Sequence, residues 1–230
     1  MKAIIFAAGK GERMRPLTDQ TPKPLLTVNG KALIDFHLEK LAKAGFSQVI
    51  INLAYKGEMI KHHCGNGHRY GLAIEYSEEG PEPLETGGAL NLCLPWFQNQ
   101  CFAMISADIY CNFDYVNLAQ RIRDLESIDA QANLALVANP DHNPKGDFSL
   151  QHDTLRLAHQ QTYTYSGIGV AKPTLIDHFP LKRQRFPLRE AFYYWLDKSK
   201  VHGYLCSGFW SDVGTPARLE ALQSSPTGTH

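Results

Sequence analysis

The chain alternates short apolar runs with polar connections. Residues 2–8 (KAIIFAA) are almost continuously apolar, and residues 9–16 that follow are polar and basic. A short run that is apolar on both faces predicts a strand buried in a parallel sheet, with a loop at its carboxyl end. Leu33, Phe36, Leu38 and Leu41 are spaced for a helix that stops near Gly45, where a residue able to take positive φ is wanted. Residues 48–54 (QVIINLA) predict a second buried strand, 56–64 a helix, 72–76 a strand, 88–94 a short helix opened by two glycines, and 101–107 (CFAMISA) a third central strand. Further on, 115–127 reads as a helix, 133–139 and 164–171 as strands, and 147–157 alternates as a hairpin does. Residues 188–198 and 216–222 close the chain as helices.

The order strand, loop, helix, strand, helix, strand argues for an α/β fold: a single Rossmann-like domain with a mostly parallel mixed sheet covered by helices on both faces. Ligands then belong at the carboxyl ends of the strands. With neither repeat nor linker, the expected domain is 1–223, with 224–230 as a frayed tail. Hydrophobic residues make up 43% of the 230, enough to offset the ordering entropy by burial. Lys plus Arg and Asp plus Glu both number 23, so no basic excess points to nucleic acid. No apolar stretch approaches the roughly 20 residues of a membrane span, and residues 1–8 enter a strand-like run rather than a cleavable signal. A cytoplasmic protein is expected, a monomer or weak homo-oligomer. The five cysteines include no C-x-x-C, which suggests neither a disulfide framework nor a thiolate zinc site.

Four constellations carry chemistry. Gly9-Lys10-Gly11-Glu12-Arg13-Met14-Arg15 places two glycines directly after a buried strand, so backbone N–H groups can point at phosphate oxygens while the basic side chains supply charge. Its spacing fits neither G-x-G-x-x-G nor G-x-x-x-x-G-K-[ST]. In Thr21-Pro22-Lys23-Pro24, the flanking prolines restrict the backbone and lower the entropy lost when the ammonium is held against an anion. The glycines of Leu84-Glu85-Thr86-Gly87-Gly88 allow a flat group such as a nucleobase to lie against backbone, although the same string serves in ordinary turns. Asp108, after the third central strand, and Asp212, in a Trp-Ser-Asp-Val-Gly-Thr-Pro segment, read as ligands of magnesium, which prefers carboxylate oxygen. His62, His63, Cys64 and His68 cluster without a metal-site spacing and read as surface residues.

Together these are the parts that nucleotidyl transfer requires, since a triphosphate and a phosphorylated acceptor repel until fixed cations and a metal offset their charge. A phosphate with a second pKa of about 6 is already an anionic nucleophile at pH 7, so the lack of a general-base motif is expected.

The segment AAGKGERMRPLT at 7–18 and the PKP at 22–24 resemble the signature of the sugar-phosphate nucleotidylyltransferases, a family built on one Rossmann-like domain. Within it LETGG, GDFSL at 146–150, YSGIGV at 165–170 and WSDVGTPARL at 210–219 are most similar to the N-acetylmuramate 1-phosphate uridylyltransferases of bacterial cell-wall recycling. The resemblance implies that Arg13 and Lys23 are catalytic and contact phosphates. It implies a nucleotide site of Ala8, Gly9, Gly11, Glu12, Arg13, Lys23, Glu85, Gly88 and Ser106, with Gly88 approaching the uracil. Asp108 and Asp212 would hold Mg2+. Gly146 and Asp147 would sit near the sugar, with Ser166 and Gly167 beside its phosphate. The implied reaction joins UTP and a sugar 1-phosphate, giving a UDP-sugar and pyrophosphate. Ser106 and Ala107 depart from the asparagine and glycine that the family usually places before the strand-end aspartate.

The rivals are a glucose or mannose 1-phosphate nucleotidylyltransferase and a non-catalytic nucleotide-sugar sensor on the same fold. A NAD-dependent oxidoreductase would want a third glycine and an acid closing the second strand, where Leu53-Ala54 stands.

Overall fold

The computed structural model describes residues 1–80, 82–157, 161–180 and 183–224. Its strands in chain order are β1 (Lys2–Phe6), β2 (Thr27–Val28), β3 (Lys31–Ala32), β4 (Gln48–Leu53), β5 (Ala73–Glu78), β6 (Phe102–Ser106), β7 (Ile109–Cys111), β8 (Ala132–Val137), β9 (Phe148–Gln151), β10 (Thr154–Leu157), β11 (Thr162–Ala171), β12 (Val201–Leu205) and β13 (Trp210–Asp212). The helices are α1 (Leu33–Lys43), α2 (Gly57–Cys64), α3 (Glu85–Phe97), α4 (Val116–Ser127), α5 (Thr174–Asp177), α6 (Leu188–Leu196) and α7 (Pro216–Ser224). Ser224, which the sequence reading assigned to a tail, is the last residue of α7, and 225–230 lie outside the described residues.

Nine strands form one sheet in the order β5-β4-β1-β6-β11-β8-β12-β10-β9. The half from β5 to β6 is parallel throughout, because each crossover there passes through a helix. The other half is antiparallel except where β12 runs parallel to β8. Ala3, Ile5 and Ala7 face a core shared with α1, α2 and α4, whereas Ile4 faces one shared with α3, α5 and α6. Burial on both faces is what makes β1 read as an unbroken apolar run.

A third, smaller cluster joins distant parts of the chain: Met14 and Leu26 from the loops after β1, Val28, Leu33, Val213, and Leu219 and Leu222 of α7. It brings the last helix and β13 beneath the polar loop that follows β1. β7 and β13, too short to stand out in the sequence, pair as a separate antiparallel ribbon with Asp212 opposite Ile109. β12 was missed because VHGYL mixes polar and apolar residues, yet β8 and β10 flank it in the sheet. Among the described residues, no helix is long and apolar enough to cross a membrane.

α3 begins three residues earlier than the sequence reading placed it and takes both glycines into its first turn. A Cβ on Gly87 would collide with Phe186, and one on Gly88 with the Gln184 carbonyl. The N–H groups of both point to the Phe186 carbonyl, at 2.9 and 3.2 Å. Close approach of a neighbouring chain segment therefore accounts for these glycines.

Candidate active site

A cleft of about 820 Å3 opens at the carboxyl ends of β1, β4 and β6. Its floor is the turn after β1. Gly11 takes φ 64°, in the left-handed region, and a Cβ there would stand 2.8 Å from Thr18 Cγ2 and 3.4 Å from Lys23 Cβ. Glycine thus lets the loop lie against the segment that carries Lys23. The Gly11 carbonyl accepts from Thr18 Oγ1 at 2.8 Å and from Met14 N at 2.9 Å, while the fully buried Met14 side chain anchors the loop from below. Arg13, next to that anchor, is exposed. Among the described residues Lys10 and Arg13 have no ion-pair partner, so both charges are available to an anion.

Lys23 reaches Asp108 in an ion pair across the cleft. Asp108 follows β6, and its carbonyl accepts from Val213 N at 2.8 Å. That bond continues the β7–β13 ribbon and makes Asp108 a backbone neighbour of Asp212. The Asp212 carboxylate pairs with Arg218 of α7 and lies 3.0 Å from His142 Nε2. Its Oδ2 is 3.1 Å from the point where a side chain on Gly214 would begin, and Gly214 is part of the cleft wall.

The cleft brings together Ala8, Gly9, Gly11, Glu12, Arg13, Lys23, Glu85, Ser106 and Asp108 from the sequence-predicted set. Gly88 is absent from its wall, its N–H being spent on Phe186. Asp212 stands behind Gly214 rather than on the wall. None of the four residues expected near the sugar and its phosphate is on this wall, although Gly167 adjoins it through Ser106. Asp147 Oδ2 accepts from Tyr165 N at 2.8 Å, and its own N–H donates to the Tyr163 carbonyl, so it ties β9 to β11. Gly146, beside it, packs on Asn139. Ser166 is fully buried, accepting from Ile168 N at 3.3 Å where the β11–β8 register shifts, and Gly167 rests against Ser106.

Sequence reasoning missed Asn52, Glu79 and Arg185 on the same wall. Asn52 Oδ1 accepts from Ala7 N at 2.8 Å, and its Nδ2 donates to Glu79. Glu79 Oε2 accepts from Leu84 N at 2.6 Å. This buried relay sets the residue that follows β1 relative to the start of α3. A polar residue inside the apolar run QVIINLA was the signal that could have found it. Arg185, 3.4 Å from Glu85 Oε1, gave no such signal. Beneath the ribbon, His37 Nδ1 meets the Tyr115 hydroxyl at 2.7 Å. Burial, and then Lys40, lower the His37 pKa to about 3, so the ring is neutral.

Asp108 and Asp212, brought near each other by the bond from Val213 N–H to the Asp108 carbonyl, carry the carboxylate oxygens that magnesium prefers, and each faces a cation of the chain. Among the described residues no third His, Cys, Asp or Glu joins a metal-binding group. A cation held there would complete its shell with water and substrate phosphates, as magnesium does. The donor set fits.

The chain belongs to the nucleotidyl transferase family, which it matches over residues 2–148. Its resemblance to sugar-phosphate nucleotidylyltransferases therefore stands. It is 40% identical over 227 residues to the N-acetylmuramate alpha-1-phosphate uridylyltransferase of Neisseria meningitidis, covering 97% of each chain. It is 30% identical to the mannose-1-phosphate guanylyltransferase of Mycobacterium tuberculosis, over 93% of this chain and 61% of that protein. The fold is shared with HddC from Yersinia pseudotuberculosis at a TM-score of 0.77 and 22% identity, over 96% of this chain and 97% of that one.

Proposed function

We propose that the protein is a magnesium-dependent uridylyltransferase that joins UTP to N-acetylmuramic acid 1-phosphate, releasing pyrophosphate, in cytoplasmic peptidoglycan recycling. The observation that carries the transfer chemistry is one cleft holding two unpaired cations, a lysine and the end of an aspartate-bearing ribbon. The preference for uridylyl and muramyl groups rests on the Neisseria relative.

In this reading, N–H groups of the Gly9–Gly11 turn and the Arg13 side chain hold the triphosphate. Lys23, fixed between Pro22 and Pro24, neutralises charge that develops on the phosphates, an effect worth about 10²-fold or more in turnover when such a group is removed. Asp108 and Asp212 would hold Mg2+, which supplies charge neutralisation and alignment of the phosphates. An oxygen of the sugar 1-phosphate attacks the α-phosphorus, the bond from that phosphorus to the bridging oxygen breaks, and the electron pair leaves with pyrophosphate. No proton need be removed from the attacking oxygen at pH 7. The relay from Asn52 to Leu84 keeps the turn after β1 in register with Glu85 and Thr86, on whose side the base would lie.

A pyrophosphate-release grid tests the reading by crossing UTP, dTTP, GTP and CTP with the 1-phosphates of N-acetylmuramic acid, N-acetylglucosamine, glucose and mannose. UTP with the muramic acid derivative should give the highest kcat/KM. A maximum at GTP with mannose 1-phosphate would replace this substrate assignment with that of the guanylyl relatives.

A further inference from the structure

Arg218 and His142 compete for one oxygen of Asp212. Oδ1 receives Arg218 Nη1, and His142 Nε2 lies 3.0 Å away. His142 Nε2 is also 2.9 Å from Arg218 Nη1. A guanidinium nitrogen only donates, and an imidazole nitrogen either donates or accepts, so Nε2 cannot satisfy Asp212 and Arg218 together. Arg218 is braced on its other side, with Nε 3.4 Å from Thr215 Oγ1. Its Nη2 and Asp212 Oδ2 stand 2.5 and 3.1 Å from where a Gly214 Cβ would be. The ion pair is therefore separated from the cleft only by a residue without a side chain.

We propose that Arg218 is the resident counter-ion of Asp212, and that a divalent cation gains this carboxylate only in competition with its positive charge. Arg218 is then a positioning residue that holds metal affinity down until nucleotide phosphates arrive. The inference rests on the proposed assignment of Asp212 as a metal ligand. A carboxylate already in a charge-assisted hydrogen bond yields less free energy to an incoming metal, because the guanidinium repels the cation and its own bond to the carboxylate weakens. A polyanion in the cleft reverses the balance, since it supplies further ligands to the metal and a new partner for the guanidinium beside Gly214. Lys23 and Asp108 form the companion pair, but Lys23 already has a place on the phosphates. Arg218 has none in the mechanism above.

The experiment is a Mn2+ titration of the full chain, wild type and Arg218→Gln, with free Mn2+ read by electron paramagnetic resonance, in the absence and presence of UTP, the UTP series being referenced to the same UTP without protein. Without UTP, Arg218→Gln should bind Mn2+ about five- to tenfold more tightly than wild type, with the gap narrowing when UTP is added. Arg218→Lys, which keeps the charge, should stay within about twofold of wild type. Adding Asp212→Asn to Arg218→Gln should erase the gain. Unchanged or weaker binding by Arg218→Gln overturns the inference while leaving the metal site intact. Absence of Mn2+ binding by wild type even with UTP overturns the metal assignment as well. The wild-type protein gives a reading independent of any variant: the Arg218 guanidinium 15N signals should shift when Mg2+ and UTP are added together, and unmoved signals refute the competition.

Discussion

The turn after β1 was read from its own glycines and cations, the segment from Gly146 to Gly167 only through the family resemblance, and the structure treats them differently. In the first, glycine, a buried methionine anchor and two prolines leave Lys10, Arg13 and Lys23 directed at one cleft. In the second, the polar groups are consumed by the fold: Asp147 ties two strands together, and the Ser166 hydroxyl is buried on a backbone N–H. A basic side chain has no structural use for its charge at a strand end, whereas a serine or aspartate can satisfy backbone donors and vanish into the scaffold. Charge left without a partner is the stronger mark of function.

Substitutions on the two sides should separate sharply. Asp108→Asn should lower pyrophosphate release by about 10³-fold or more with an unchanged melting temperature, because the proposed metal ligand, which is also the partner of Lys23, loses its charge. Activity retained at high Mg2+ would remove Asp108 from the site. Arg13→Ala should cost about 10²-fold in kcat at saturating UTP and acceptor, as loss of a group acting on the transition state does. A rise in KM alone would make it a ground-state contact. Asn52→Ala should destabilise the fold by about 2–3 kcal/mol in urea unfolding, because it strips partners from the Ala7 N–H and from buried Glu79.

A pH effect of intermediate size follows from His37. Its folded pKa of about 3 lies below the ordinary 6.5, so between those values the unfolded chain binds the extra proton. Stability present above pH 6.5 is then lost as pH falls, at up to about 1.4 kcal/mol per pH unit from this group. The His37 ring signals should show no titration between pH 8 and pH 5, and a midpoint near 6.5 would contradict the burial argument. Ser166→Ala stands at the small end. It should change kcat/KM for the sugar phosphate by no more than about twofold and stability by about 1 kcal/mol. A loss of tenfold or more would return Ser166 to the acceptor site and weaken the contrast.

The strands and helices of the parallel half were readable because burial on both faces leaves an unambiguous apolar run in β1, β4 and β6, and because α1 keeps its apolar positions at helical spacing. The basic turn was readable too, since its glycines and cations are contiguous. β7, β12 and β13 were not, being short, mixed in polarity and defined by partners far away in the chain. Nor did the sequence reveal that Gly87 and Gly88 face residues 184–186, or that Asn52 bonds to Ala7 and Glu79, because each depends on which distant segment arrives alongside.

By itself, then, the sequence determined the layered α/β class, the position of the glycine-rich basic turn and the identity of the charged groups, all of which follow from local pattern. Tertiary structure alone decided which of those groups share a cleft, which are spent on backbone, and that Asp212 waits behind Gly214 in the grip of Arg218. Contacts such as Lys23–Asp108 and Asp108–Val213, between residues far apart in the chain, are set by how the sheet and its three cores pack, and no local spacing encodes them.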